Sequence, residues 1–267
     1  MKKWFPLLIF SALLWPQILL AAPVVLFDEG HAQPFLARGE RPLDLSGLAG
    51  IFASAGYEVR TTSEPLVAAQ LTGVDVLISS GAFQPFTPEE VSAVQALLQR
   101  GGGVAIMLHV APPFAGLLRI LEVDFTNGTL REQSNLLGEN RQNFRVRDLV
   151  THPLTDGLEE FAVYGAWALR GTAPAVEIVA RTGAHSWIDL NRDNLLSAGD
   201  AVQPFGVAVA GTSGPGRFAV FGADALVHLD HALVEEARQL DAAHEELRPV
   251  LVAYAQRIAE AAGDREY

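Results

Sequence analysis

Val24-Val-Leu-Phe-Asp-Glu-Gly-His31 sets two carboxylates and an imidazole directly after a run of apolar residues. Such a trio can pass a proton or grip a divalent metal. An apolar run bounded by a turn reads as a strand of a parallel sheet covered on both faces. Ligands of open α/β sheets sit just beyond the carboxyl ends of such strands. The same reading puts Ser79 and Ser80 after the strand Val74 to Gly81, His109 after Val104 to Leu108, and Asp224 after Arg217 to Gly222. Asp28, Glu29, His31 and His109 are therefore the candidate catalytic groups, and Asp28, His31, Ser79, Ser80, His109 and Asp224 a candidate ligand crevice. A transition metal at His31, His109 and Asp28 would make the site a metal-assisted one. The plainer alternative is that these groups cap helices and tie loop amides. No Gly-x-Ser-x-Gly elbow presents a serine nucleophile.

A second constellation is Asp189-Leu-Asn-Arg-Asp-Asn-Leu-Leu-Ser-Ala-Gly-Asp200. Asp189, Asn191, Asp193, Ser197 and Asp200 bring side-chain oxygens to the spacing of a calcium loop, with the Leu195 carbonyl between them. Asn194 stands where glycine usually makes the sharp turn, and asparagine tolerates the left-handed conformation required there. Ca2+ in a structural role is the expectation; an Asx-rich hairpin without metal is the alternative. A third set, His228 and His231 with Asp224 or Asp230, could meet a metal from one helix face. Exposed histidines at a helix start are the plainer reading. His152, His185 and His244 receive no role.

The elements that must position these groups alternate strand and helix through the first half. A helix is expected from Asp44 or Ser46, with Leu45, Leu48, Ile51 and Phe52 as its stripe, stopped by Gly56. Strand Tyr57 to Thr61 follows, then a short helix over Glu64 to Gln70. Thr87-Pro-Glu-Glu90 predicts a capped helix start, with Pro88 at the first position and Glu90 closing a capping box. Another helix is read over Phe114 to Leu121. This alternation means βαβ units and a parallel sheet. Residues 124–147 are polar and irregular and read as a surface excursion or lid. Shorter strands follow at Phe161, Val176, His185, Gly206 and Arg217, with a helical pattern from Ala232.

The chain opens with Lys2 and Lys3, an apolar run from Trp4 to Leu20, then Ala21-Ala22. That is the layout of a secretion signal over residues 1–22, cleaved after Ala21 or Ala22. Cleavage implies a periplasmic or secreted single domain over residues 23–267; an uncleaved segment would anchor the protein to a membrane. Beyond the signal every basic residue is arginine, and the net charge of the whole chain is −12. Such a field repels nucleic acid and anionic lipid. There is no cysteine, which excludes thiolate catalysis and disulfides.

Taken in order, Leu26-Phe-Asp-Glu-Gly-His31, Gly101-Gly-Gly-Val-Ala-Ile106, His152-Pro-Leu-Thr-Asp-Gly157 and Gly216-Arg-Phe-Ala-Val-Phe-Gly-Ala-Asp224 resemble the class I glutamine amidotransferase-like superfamily. The resemblance is to its non-catalytic GIFT-type and exported bacterial branch. A Gly-Gly-Gly strand ending in histidine is also similar to the sugar-utilisation branch. The resemblance implies a flavodoxin-like α/β fold, a mostly parallel sheet with helices on both faces and extra C-terminal strands. The enzymes of the superfamily carry a nucleophilic cysteine after the strand that here is Val104 to Leu108; this chain has His109-Val110 instead, which excludes the glutaminase reaction. Three functions are expected: a non-catalytic binding or scaffold protein, a metal-assisted hydrolase of a saccharide or peptide, or an accessory subunit of an envelope transport or assembly complex. The partner is accordingly a small molecule, a saccharide or an envelope protein.

Overall fold

The computed structural model describes residues 21–41 and 44–224. The signal-like run up to Leu20, His228, Asp230, His231, His244 and the helical pattern from Ala232 lie outside the described residues. The first half is β1 (Val24–Asp28), α1 (Ser46–Ser54), β2 (Glu58–Thr62), β3 (Val76–Ser80), α2 (Pro88–Gln99), β4 (Gly103–Met107) and α3 (Ala115–Ile120). Among the described residues the second half adds only strands: β5 (Val123–Arg131), β6 (Asn143–Val146), β7 (Asp148–Leu149), β8 (Phe161–Tyr164), β9 (Trp167–Gly171), β10 (Val176–Arg181), β11 (Trp187–Ile188), β12 (Ala201–Val202), β13 (Gly206–Ser213) and β14 (Gly216–Phe221).

The central sheet runs β2-β1-β3-β4-β14 with every neighbour parallel. It continues through antiparallel β13, β9, β5, β11 and β12. β1, β3 and β4 are buried along their whole length, as strands covered on both faces must be. Alternate side chains enter two cores. Val25, Phe27, Val76 and Ile78 pack with Leu48, Ala49 and Phe52 of α1. Val24, Leu26, Leu77 and Ile106 pack with Val94, Leu97 and Leu98 of α2 and with Leu117 and Leu118 of α3. The chain leaves α1 through Gly56 at φ +87°, a conformation that costs glycine least.

Three sequence expectations change. Residues 64–70 form no helix: an irregular stretch over 64–67 leads into turns over 68–73, because the Leu66 amide is taken by the Glu90 carboxylate and Gly73 turns the chain at φ +69°. β4 stops at Met107, and the Leu108 amide crosses to the Phe221 carbonyl at 3.0 Å. Residues 124–147 are not irregular throughout. β5 fills the start of that segment and pairs with β9 and β11, while β6 pairs with β8 in a small separate sheet. Polar residues alternating on half-exposed strands hide the period that would reveal them.

Candidate functional site

The parallel strands deliver their carboxyl ends to one edge, and the residues read from the sequence divide there into two groups. The first is closed. Asp28, at the end of β1, accepts from His31 Nδ1 at 2.9 and 3.0 Å, Gln33 Nε2 at 2.7 Å, Ser79 Oγ at 2.7 Å and the Gly30 amide at 3.1 Å. The other ring nitrogen of His31 meets Glu90 Oε1 at 3.1 Å. Its ring stacks on Phe86 with centroids 3.8 Å apart. His31, Asp28 and Glu90 are all buried. With a carboxylate at each ring nitrogen, the imidazole donates twice and is fully used.

Glu90 reaches His31 because α2 begins where the sequence says it must. Thr87 caps the Glu90 amide, and the Glu90 side chain returns to the Thr87 amide at 2.8 Å. The capping box was legible; the second duty of Glu90, holding His31 and the Leu66 amide, was not. Gln33 is a further member that no motif announced. Glu29 lies outside this network and ties down a loop by accepting from the Ala37 amide at 2.8 Å.

Burial is the largest single influence on His31 and pulls its pKa down. The hydrogen bond to Asp28 and the charges of Asp28 and Glu90 outweigh it and hold the value above the usual 6.5. Burial also pushes Glu90 up, but the Thr87 and Leu66 hydrogen bonds and the charge of His31 leave it below the usual 4.5. The folded protein thus holds the His31 proton more tightly than the unfolded chain does. That stabilisation is complete below about pH 6.5 and is lost as the pH rises through the raised value. The contribution of Glu90 is present above about pH 4.5 and is lost as the pH falls through its lowered value. We expect the melting temperature to fall as the pH is raised through the neutral range, and His31→Gln to flatten that slope; an unchanged slope in the variant would refute this reading of His31.

The second group is open. His109 follows β4 and its side chain is 40% exposed. Its Nδ1 meets Asp224 Oδ2 at 3.2 Å, beyond the end of β14, while Asp224 itself is buried. The hydrogen bond to Asp224, ahead of the opposing effect of burial, raises the pKa of His109. A buried carboxylate on Nδ1 fixes the ring and turns Nε2 outward, the arrangement that orients a proton acceptor or a hydrogen-bonding group. Phe83, 48% exposed, and Phe35 flank the ring at 5.5 and 6.4 Å between centroids. Trp167 Nε1 donates to the His109 carbonyl at 3.2 Å. Trp167 is seated by Gly222, where a Cβ would come within 2.1 Å of the Trp167 carbonyl oxygen.

Ser79 serves Asp28, and the Ser80 hydroxyl is buried with no hydrogen-bond partner among the described residues. Neither serine is exposed at the edge as a nucleophile. Among the described residues no group of three or more His, Asp or Glu side chains is placed to hold a metal ion. His152 accepts from the Leu154 amide through Nδ1, and burial lowers its pKa.

The Asp189–Asp200 segment joins β11 to β12. Asn194 takes φ +63°, the left-handed turn expected of it. Its oxygens are engaged within the protein. Asp189 accepts from the amides of Asp193 and Asn194, Asp193 from Leu195, and Asp200 from Leu190 and Ser197. Asn191 Nδ2 donates to Asp193 and to Ser197 Oγ. No motif pointed to Arg131, whose guanidinium reaches Asp189 Oδ2 at 3.2 Å and Asn194 Oδ1 at 2.6 Å from β5. A positive charge of the chain itself therefore lies on the carboxylate of Asp189, one of the side chains read as a calcium ligand, and on Asn194 at the turn.

No family model matches this chain, and no curated protein matches it. Solved structures do share its architecture. The mmIFT52 N-terminal domain is 16% identical with a TM-score of 0.64, over 91% of this chain and 100% of that one. A ThuA-like protein from Bacteroides uniformis ATCC 8492 is 14% identical with a TM-score of 0.51, over 91% and 94%. The exo-beta-1,4-mannosidase Op5Man5 from Opitutaceae bacterium strain TAV5 is 10% identical with a TM-score of 0.51; the match covers 89% of this chain but 36% of the mannosidase. At these identities the likeness is one of fold, and the fold fits the glutamine amidotransferase-like arrangement of the ThuA-like proteins.

Proposed function

We propose that this protein is an exported, non-catalytic binding or scaffold protein built on an amidotransferase-like fold. The observation that carries this reading is the chemistry of the strand edge. The position of the superfamily's nucleophile holds His109, the serines are buried, and His31 is locked between Asp28 and Glu90. A covalent mechanism needs an activated nucleophile beside a base, and this edge offers an oriented imidazole without one. The GIFT-type placement belongs to the same proposal and is supported by the absence of cysteine. Export to the periplasm rests on the Lys2-to-Ala22 pattern; amino-terminal sequencing of the protein from the periplasm should begin at Ala22 or Pro23.

The test of non-catalysis is direct. The purified protein should release nothing above background from nitrophenyl glycosides, peptides or glutamine, while a ligand screen raises its melting temperature. Turnover that His109→Ala abolishes would overturn the reading.

One observation favours the second reading, a hydrolase of a saccharide or peptide: the outward Nε2 of His109, oriented by Asp224, could serve as a general base. The likeness to a mannosidase supports the saccharide only as far as a partial fold match can. The metal-assisted form has less behind it, because Asp28 and His31 are spent on each other. A role as an accessory subunit predicts co-purification with an envelope complex instead of a small ligand.

Calcium at residues 189–200 enters the proposal as a structural ion only. A bound ion would raise the melting temperature in calcium over chelator by an amount set by its affinity. At about ten times its dissociation constant the ion would add about 1.4 kcal/mol, a rise of roughly 3–5 °C. No difference between calcium and chelator would remove the ion from the proposal, and Arg131→Ala should lower stability by about 1–3 kcal/mol through loss of the Asp189 pair.

A further inference from the structure

The open edge carries a row of rings that ends in a cavity. Phe83 stands beside His109, and the His109 carbonyl holds the Trp167 indole. Trp167 in turn meets Phe125 edge to face at 6.0 Å. Phe125 and Leu169 line a cavity of about 370 Å³, and the Arg170–Asp124 ion pair also borders it. Topology explains the opening. β13 meets β9 at the single register pair Gly206↔Leu169, and β5 slips register between Phe125 and Thr129, so the seam between the strands widens.

The chemistry of the row selects a ligand. The exposed Phe83 ring offers a flat apolar face, the half-buried Trp167 and Phe125 rings continue the row against the core, and the polar groups beside them are paired, His109 with Asp224 and Arg170 with Asp124. Such pairs keep spare hydrogen-bonding capacity without a strong net charge. The acidic chain, at −12, disfavours an anionic ligand. A neutral molecule with repeating flat C–H faces and hydroxyl-bearing edges meets every requirement. The cavity is large enough for one ring of it, since ligand sites begin at roughly 300 Å³.

We propose that the edge from Phe83 past His109 and Trp167 to the cavity beside Phe125 binds a neutral oligosaccharide, with His109 Nε2 bonded to a sugar hydroxyl. This rests on the binding reading above. It adds the ligand class, the path and the orienting residue.

Beyond the signal-like segment the tryptophans are Trp167 and the buried Trp187, so the indole N–H signals in an NMR titration of the full mature protein separate the site from its control. The probes are tetrasaccharides of glucose, mannose and N-acetylglucosamine, with a tetra-alanine peptide beside them. Saturable movement of the Trp167 and His109 signals with a saccharide, Trp187 staying fixed, is the expected result. Phe83→Ala, a change at an exposed side chain, should weaken binding about tenfold, and His109→Gln should weaken it further at neutral pH. No movement with any of the saccharides would overturn the proposal. Movement with the peptide alone would overturn the ligand class and leave the binding reading standing. Release of reducing ends with the same signal changes would uphold the site and overturn the non-catalytic reading.

Discussion

Asp28→Ala should lower stability by roughly 3–5 kcal/mol, a fall in melting temperature on the order of 10 °C for a domain of this size. The carboxylate accepts from His31, Gln33, Ser79 and the Gly30 amide, all at or under 3.1 Å, and its side chain is 0% exposed. Alanine leaves these donors facing a cavity. Among them is an imidazole whose charge Asp28 helps to maintain, and an unpaired buried charge is the costliest of such losses. His31 should respond by releasing its proton at lower pH, visible in its ring NMR signals. Asp28→Asn keeps the shape but reverses the polarity of one position and should fall between wild type and alanine. A melting temperature within 2 °C or so of wild type for Asp28→Ala would show that the network contributes little, as surface ion pairs do.

The second large effect is at Glu90, where two functions meet in one side chain. Glu90→Ala removes the capping box, typically worth about 1 kcal/mol, and also the partner of His31 and of the Leu66 amide. A total of about 3–5 kcal/mol is expected. Glu90→Gln keeps an acceptor for one amide at a time but loses the charge, so it should retain part of the stability and shed much of the pH dependence. The double variant with Asp28→Ala should cost less than the two single changes added, by about 0.5–3 kcal/mol, because both act through His31. Strict additivity would mean that the two carboxylates do not share the imidazole. Both measurements are thermal or denaturant melts near pH 6, where the contributions of His31 and Glu90 are both present.

The carboxyl-end edge was legible because strand period and turn chemistry are local. Four apolar residues before Asp28, bounded by a turn, read as a strand buried on both faces, and the parallel pairing follows from the helices between strands. The capped start at Thr87, the turn at Gly56 and the left-handed Asn194 were legible for the same reason: a cap or a positive φ is decided within a few residues. The short strands β7 and β12 and the half-polar β5 were not, because their side chains pack on partners distant in sequence. Their period carries no signal until those partners arrive.

The sequence by itself determined that thiolate chemistry is absent, that the chain is acidic, and which polar residues stand at strand ends. Tertiary structure alone decided how they divide. Asp28 and His31 read as groups that could grip a metal; Glu90, brought from α2 some sixty residues on, takes the second ring nitrogen of His31. Asp189 stands at the head of a calcium-loop spacing; Arg131, from β5, reaches its carboxylate. His109 stays open because Asp224 takes one nitrogen and nothing described covers the other. The physical reason is common to all three. A residue's type sets which bonds it can make, but whether those bonds are spent within the protein depends on partners far along the chain, and only folding brings those partners within reach.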